Sequence, residues 1–179
     1  VLSTFGALPF ALSQETNLSF IDALFESISG LTTTGATVFT NLEDLPKSIL
    51  YYRQQLQWLG GIGIVVIAVS ILPMIGVGGM QIYKAETPGP IKDTKLTPRI
   101  AETANALFKI YVFLTVVCAI AYWVAGMSWF DALSHSFSTI SIGGFSTYDE
   151  SLGHFDNNAV LTIASIFMVV SGLNFALHY

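Results

Sequence analysis

Ser19-Phe-Ile-Asp22-Ala-Leu-Phe-Glu26-Ser27-Ile-Ser29-Gly-Leu-Thr-Thr33-Thr34-Gly35 returns 109 residues later as Ser128-Trp-Phe-Asp131-Ala-Leu-Ser-His135-Ser136-Phe-Ser138-Thr-Ile-Ser-Ile142-Gly143-Gly144, with seven of the seventeen positions identical. Chance would give about one identity, so two copies of one unit are present. Each copy opens on a serine followed three residues on by an aspartate, an acidic variant of the capping box. An apolar-rich stretch of about 12 residues follows, about 18 Å of helix at 1.5 Å per residue. Glycine and β-branched residues then stop it, at Leu31–Thr37 and at Ile140–Thr147.

The composition sets the medium in which those short helices sit. The chain has 179 residues, 53% hydrophobic and 11% charged, with a mean hydropathy of +0.63. Soluble domains carry about 25% charged residues, so an integral membrane protein is expected. Disordered, collagen-like and low-complexity classes are excluded. A net charge of −5 leaves no basic face for phosphates, which argues against a nucleic-acid partner. Cys118 stands alone in an apolar run, so it forms no intrachain disulfide and is read as packing.

A spanning helix needs about 20 apolar residues. Trp58–Met80, Ile110–Phe130 and Ala159–Leu177 are free of charge and are the candidates. Val1–Ser13 reads as the end of a fourth, and the abrupt start and finish suggest a fragment. Gln81–Lys109 holds five of the seven basic residues, whereas nine of the twelve acids lie elsewhere. The positive-inside bias makes Gln81–Lys109 cytoplasmic and puts residues 38–48 and 146–157 outside.

Each repeated unit thus reads as spanning helix, re-entrant half-helix, extended loop and spanning helix. Irregular backbone at membrane depth survives only when buried in protein or lining a watery cavity. A half-helix entering from outside aims its partially negative C-terminus at the membrane centre. A glycine-bearing loop behind it, free of charged side chains, can turn carbonyls toward an ion and replace its hydration shell. Oxygen ligands without carboxylates favour a monovalent cation over Mg²⁺ or Ca²⁺. Close helix packing by small residues explains one such loop equally well. Two loops at matched places in a repeat favour the cation reading.

At these residues the sequence resembles the Trk/Ktr/HKT superfamily of potassium uptake proteins, most closely its bacterial Trk-type pore subunits. The carriers are Glu26–Thr37, Tyr52-Arg-Gln-Gln-Leu-Gln-Trp-Leu-Gly-Gly-Ile-Gly63, Gly76–Gln81 through Pro98–Thr103, and His135–Thr147. The resemblance implies an all-α membrane protein with a potassium-channel-like pore built from four units in one chain, of which two are here. The first pore repeat would be 1–80, with a truncated outer helix, pore helix about 19–31, filter loop 32–37 and inner helix about 50–80. A cytoplasmic linker, 81–109, would precede the second repeat, 110–179. There the outer helix is expected at about 110–127, the pore helix at 128–140, the filter loop at 141–147 and the inner helix from about 159.

The family's filter glycines carry over to Gly35 and Gly144, and its ion-coordinating backbone to Thr33, Thr34, Ile142 and Gly143. Of these, Gly144 is expected to tolerate a side chain least. The resemblance further implies potassium as the transported ion without an organic cofactor, the bacterial cytoplasmic (inner) membrane with its lipid, a homodimer, and a cytoplasmic nucleotide-binding regulatory subunit (TrkA-like). Met80–Lys109 is either a solvated loop or the contact surface for that subunit. A non-conducting membrane scaffold or sensor, whose half-helices only pack, is the alternative function.

Other motifs are weaker. Gly30–Thr37 has Walker A spacing, but Ala36 occupies the lysine position, so phosphate binding is rejected. Gly60-Gly61-Ile62-Gly63 lacks a dinucleotide fingerprint and reads as close helix packing. Arg53 is expected at the membrane interface, and His135 as a packing histidine, not a metal ligand. No nucleophile–base–acid set emerges, so an enzyme is not expected.

Overall fold

The computed structural model describes the backbone of residues 1–75 and 96–172, and side chains over residues 1–63 and 104–172. Among the described residues six α-helices occur: α1 (Leu2–Leu12), α2 (Phe20–Leu31), α3 (Lys47–Ile75), α4 (Leu96–Val124), α5 (Trp129–Ile140) and α6 (Asn158–Gly172). Short 3₁₀ turns at Leu42–Asp44 and Ser151–Phe155 complete the order, and there is no strand among the described residues.

The two half-helices begin identically. Ser19 Oγ accepts from the Asp22 amide and donates to Oδ2 of Asp22, at 3.2 and 2.7 Å. Ser128 and Asp131 repeat both bonds at 3.2 and 2.6 Å. Each satisfies amide donors that a helix start leaves open, and each places a carboxylate near the positive end of the dipole. Both helices run 12 residues, which is about 18 Å and little more than half the hydrocarbon thickness. In contrast, α3 and α4 each run 29 residues, about 44 Å.

Helix α4 starts at Leu96, well ahead of the start near 110 expected from hydropathy. Pro98 falls in its first turn, where no amide hydrogen is required, so the proline does not delay the helix. The charges of Arg99, Glu102 and Lys109 hid this stretch from a search for apolar runs. Residues 76–95, which hold most of the segment expected to be cytoplasmic, lie outside the described residues, as do 173–179.

Each unit has its own apolar centre. Ala7, Phe10, Ala23, Phe39, Leu42, Ile49, Leu50 and Leu56 form the first. Tyr111, Cys118, Tyr122, Met127, Ala132, Ile140, Val160 and Ala164 form the second. Helix α3 packs on both half-helices and on α4, so it is the seam of the structure. Its glycines permit this. A Cβ on Gly60 would strike the Leu31 carbonyl at the end of α2, and one on Gly61 would meet Tyr111 Oη and Ser141, just past the end of α5. The loops that follow α2 and α5 are tied as well: the Asp149 carboxylate accepts from the amides of Asn41 and Leu42 at 2.8 and 3.1 Å.

Polar groups are buried beside these apolar centres, and large apolar side chains lie on the exterior. Arg53, Gln54, Gln57 and Glu26 are fully buried, while Phe113, Trp123, Val124, Trp129 and Val169 are more than half exposed. Buried polar groups within an apolar exterior suit lipid as the solvent. Among the described residues, Ala104–Val124 is long and apolar enough to cross a membrane.

Candidate functional site

Both half-helices end in the same hydrogen-bonded turn. After α2, the amides of Thr33 and Thr34 donate to the carbonyls of Gly30 and Ser29 at 3.0 and 2.9 Å. After α5, those of Ile142 and Gly143 donate to Thr139 and Ser138 at 3.2 and 2.8 Å. This is the Schellman pattern, which calls for a left-handed residue just past the cap, usually glycine. Here that residue is Thr33 (φ 55°) in one copy and Ile142 (φ 53°) in the other. Both are β-branched, for which a positive φ is a genuine outlier costing about 1–2 kcal/mol.

The left-handed backbone then recurs two residues on, at Gly35 (φ 77°) and Gly144 (φ 86°), while Thr34 and Gly143 between them do not share it. The amides of Thr33, Thr34, Ile142 and Gly143 turn back into the helix ends. Among the described residues no donor reaches the carbonyls of Thr33, Thr34, Gly35, Ile142 or Gly144.

Gly143 differs from the other expected ligands. Its carbonyl accepts from Gln57 Nε2 at 2.7 Å, and Gln57 Oε1 takes the Phe145 amide at 3.1 Å. The same carbonyl oxygen lies where a Cβ on Gly35 would be, so the two loops abut. A Cβ on Gly144 would meet nothing within 4 Å. Gly35 therefore combines a left-handed backbone with a blocked Cβ, and Gly144 has the backbone constraint alone. The structure brings Gly35 and Gly143 into direct apposition.

Behind the loops lies a polar cluster that hydropathy did not reveal. Arg53 is not at an interface: it is fully buried. Its Nε donates to Glu26 Oε1 at 2.7 Å, one terminal nitrogen to Thr37 Oγ1 at 2.9 Å, and the other to the Ser146 carbonyl at 3.2 Å. The guanidinium sits over the rings of Phe39 and Phe145, 5.2 and 4.4 Å from their centroids. Glu26 also accepts from Thr37 Oγ1 and the Val38 amide. His135 occupies the position in α5 that Glu26 holds in α2, and its ring nitrogens lie 2.9 Å from the Asp131 carbonyl and 3.0 Å from Ser146 Oγ. Among the described residues no cluster of three metal-binding side chains occurs. An Arg followed by two glutamines at helical spacing, Arg53-Gln54…Gln57, in an otherwise apolar helix was the available signal.

These features define a class: an all-helical membrane protein with two short helices in tandem, each ending in a turn at a left-handed β-branched residue. Residues 1–179 match the TrkH family of cation transport proteins, and the chain belongs to that family. It is similar to the Trk system potassium uptake protein TrkH of Vibrio parahaemolyticus, 61% identical over all 179 residues. It is likewise 61% identical to TrkH of Escherichia coli K12 and 49% identical to TrkG of the same strain. The crystal structure of the potassium transporter TrkH from Vibrio parahaemolyticus superposes on 99% of the chain with a TM-score of 0.85 at 54% identity. The chain spans 37% of the length of these curated relatives and 35% of that crystallised chain.

Proposed function

We propose that this chain supplies two pore units of a potassium-uptake protein, in which Thr33, Thr34, Gly35, Ile142, Gly143 and Gly144 present main-chain carbonyls to potassium. The observation that carries the reading is the doubled alternation of handedness at Thr33/Gly35 and Ile142/Gly144. The names of the relatives supply the ion. Gly143 contributes the orientation of its loop, because its oxygen is shared with Gln57. Potassium is cargo, with no organic cofactor, and the role is transport and not catalysis. The setting is the bacterial cytoplasmic membrane, crossed several times, with residues 81–109 inside. In the full-length protein two further units close the pore, two chains dimerise, and a cytoplasmic nucleotide-binding subunit of the TrkA type regulates flux.

Rubidium uptake into liposomes tests this. The full-length protein should conduct with preference for K⁺ over Na⁺, and the isolated 179-residue segment should not. A folded full-length protein with flux no higher than empty liposomes would overturn the reading in favour of a scaffold. Flux through the isolated segment would show that closure by four units is unnecessary.

A further inference from the structure

We propose that Gln57 is a positioning residue that sets ion discrimination in the second loop, acting from the inner helix of the first unit. This rests on the reading that the loops coordinate a monovalent cation. The Gln57 carboxamide is fully buried and meets the loop on two sides of Gly144, donating to the Gly143 carbonyl and accepting from the Phe145 amide. One rigid planar group thereby fixes a carbonyl and an amide two residues apart. Gly144 itself has nothing packed within 4 Å of its Cβ direction, so no side chain fills that space. Gly143 must lack a side chain for the clamp to close, since a Cβ there would strike the Gln57 amide.

Two further residues of α3 support the same target. Gln54 Oε1 accepts from Ser138 Oγ at 3.1 Å, and the Ser138 carbonyl holds the Gly143 amide. Arg53 takes the Ser146 carbonyl. Positions 53, 54 and 57 share one helix face, so a single face braces the second loop from Ser138 to Ser146. The first loop is braced differently, from within its own unit, by Ser29 Oγ on the Ala36 carbonyl and Glu26 on Thr37. The two loops are thus held by different sets of bonds. A braced ring of carbonyls resists contracting onto Na⁺, whereas an unbraced one follows the smaller ion.

The test uses the full-length protein in liposomes, with rubidium flux measured against Na⁺ competition. Gln57→Leu keeps the bulk and removes both bonds, and should lower the K⁺/Na⁺ preference about tenfold, with folding and rubidium flux retained. Gln55→Leu, on another face of α3, should keep the wild-type ratio. In Gln57→Glu a protonated carboxyl can still donate and accept, so selectivity should recover as pH falls. Wild type and Gln57→Leu measured at each pH remove contributions from the nearby Glu26, Arg53 and His135. A wild type without K⁺ preference would refute the coordinating reading itself. A selective wild type with unchanged ratios in Gln57→Leu would overturn the role of Gln57 alone. Should Gln57→Leu not fold, a pH-independent, wild-type ratio in Gln57→Glu would overturn it equally.

Discussion

Arg53 and Glu26 meet at 2.7 Å with both side chains fully buried, joining an inner helix to the half-helix of its own unit. The pair is embedded among oxygens, because the remaining guanidinium nitrogens reach Thr37 and the Ser146 carbonyl of the other unit. A buried ionisable pair is costly to desolvate and is tolerated when its polar atoms find partners. Its contribution is therefore conditional: small as an intact pair, large when one member is missing.

That condition gives a stability prediction. Arg53→Met leaves Glu26 buried and uncompensated, and should destabilise the full-length protein by about 3–5 kcal/mol. Glu26→Gln combined with Arg53→Met removes both charges and should recover part of the loss. Thermal unfolding in detergent across the double-mutant cycle measures the coupling. Strict additivity of the two single changes would show that the pair carries no mutual energy.

The glycines of the two loops should not respond equally. Gly35→Ala and Gly144→Ala each place a Cβ on left-handed backbone, at about 1–2 kcal/mol. At Gly35 the Cβ also collides with the Gly143 carbonyl, whereas at Gly144 it enters open space. Gly35→Ala should accordingly be the more damaging to folding, measured as yield of monodisperse protein. Gly144→Ala should fold and show its effect in flux. The reverse order would mean that the loops do not abut as described.

Ile142 offers the opposite experiment. A β-branched residue with φ 53° stores strain that glycine would relieve. Ile142→Gly should leave stability unchanged or raise it by up to about 1 kcal/mol. Ion discrimination should fall, because the loop gains backbone freedom where its carbonyl is aimed. Loss of stability together with unchanged selectivity would assign Ile142 to packing.

How far the sequence could be read depends on how local each cause is. The caps at Ser19/Asp22 and Ser128/Asp131 were legible because a side chain and an amide three residues away decide them. The left-handed turn positions were legible at Gly35 and Gly144, where glycine advertises them. Thr33 and Ile142 adopt the same geometry without advertising it, since their strain is held by the helix-end bonds. Arg53 was misread as interfacial because its burial depends on Glu26 and on Ser146, which lies 93 positions away. Gln57 was passed over for the same reason: its partners belong to the other unit. The start of α4 was missed because charge density marks the edge of the hydrocarbon, not the end of a helix.

The last prediction separates backbone from hydroxyl ligation. Thr34 Oγ1 is already engaged with Thr32 Oγ1 at 2.7 Å, and Thr32 in turn bonds the Ile28 carbonyl. Thr32 has spent its hydrogen on that carbonyl, so Thr34 Oγ1 donates to Thr32 and is held in its own turn, while no donor among the described residues reaches the Thr34 main-chain oxygen. Binding to the folded state alone adds RT ln(1 + [L]/Kd), about 2.7 kcal/mol at one hundred times Kd. Potassium should therefore raise the melting temperature of the full-length protein above its value in matched choline, and sodium should do so less. Thr34→Val keeps the carbonyl and removes the hydroxyl, and should retain the potassium-dependent increment. Gly144→Asp adds a charged side chain on the left-handed backbone beside the proposed ion path, and should reduce or abolish the K⁺-over-Na⁺ difference. Wild-type discrimination in Gly144→Asp, with normal folding, would place Gly144 away from the ion and leave packing as the better account of both loops.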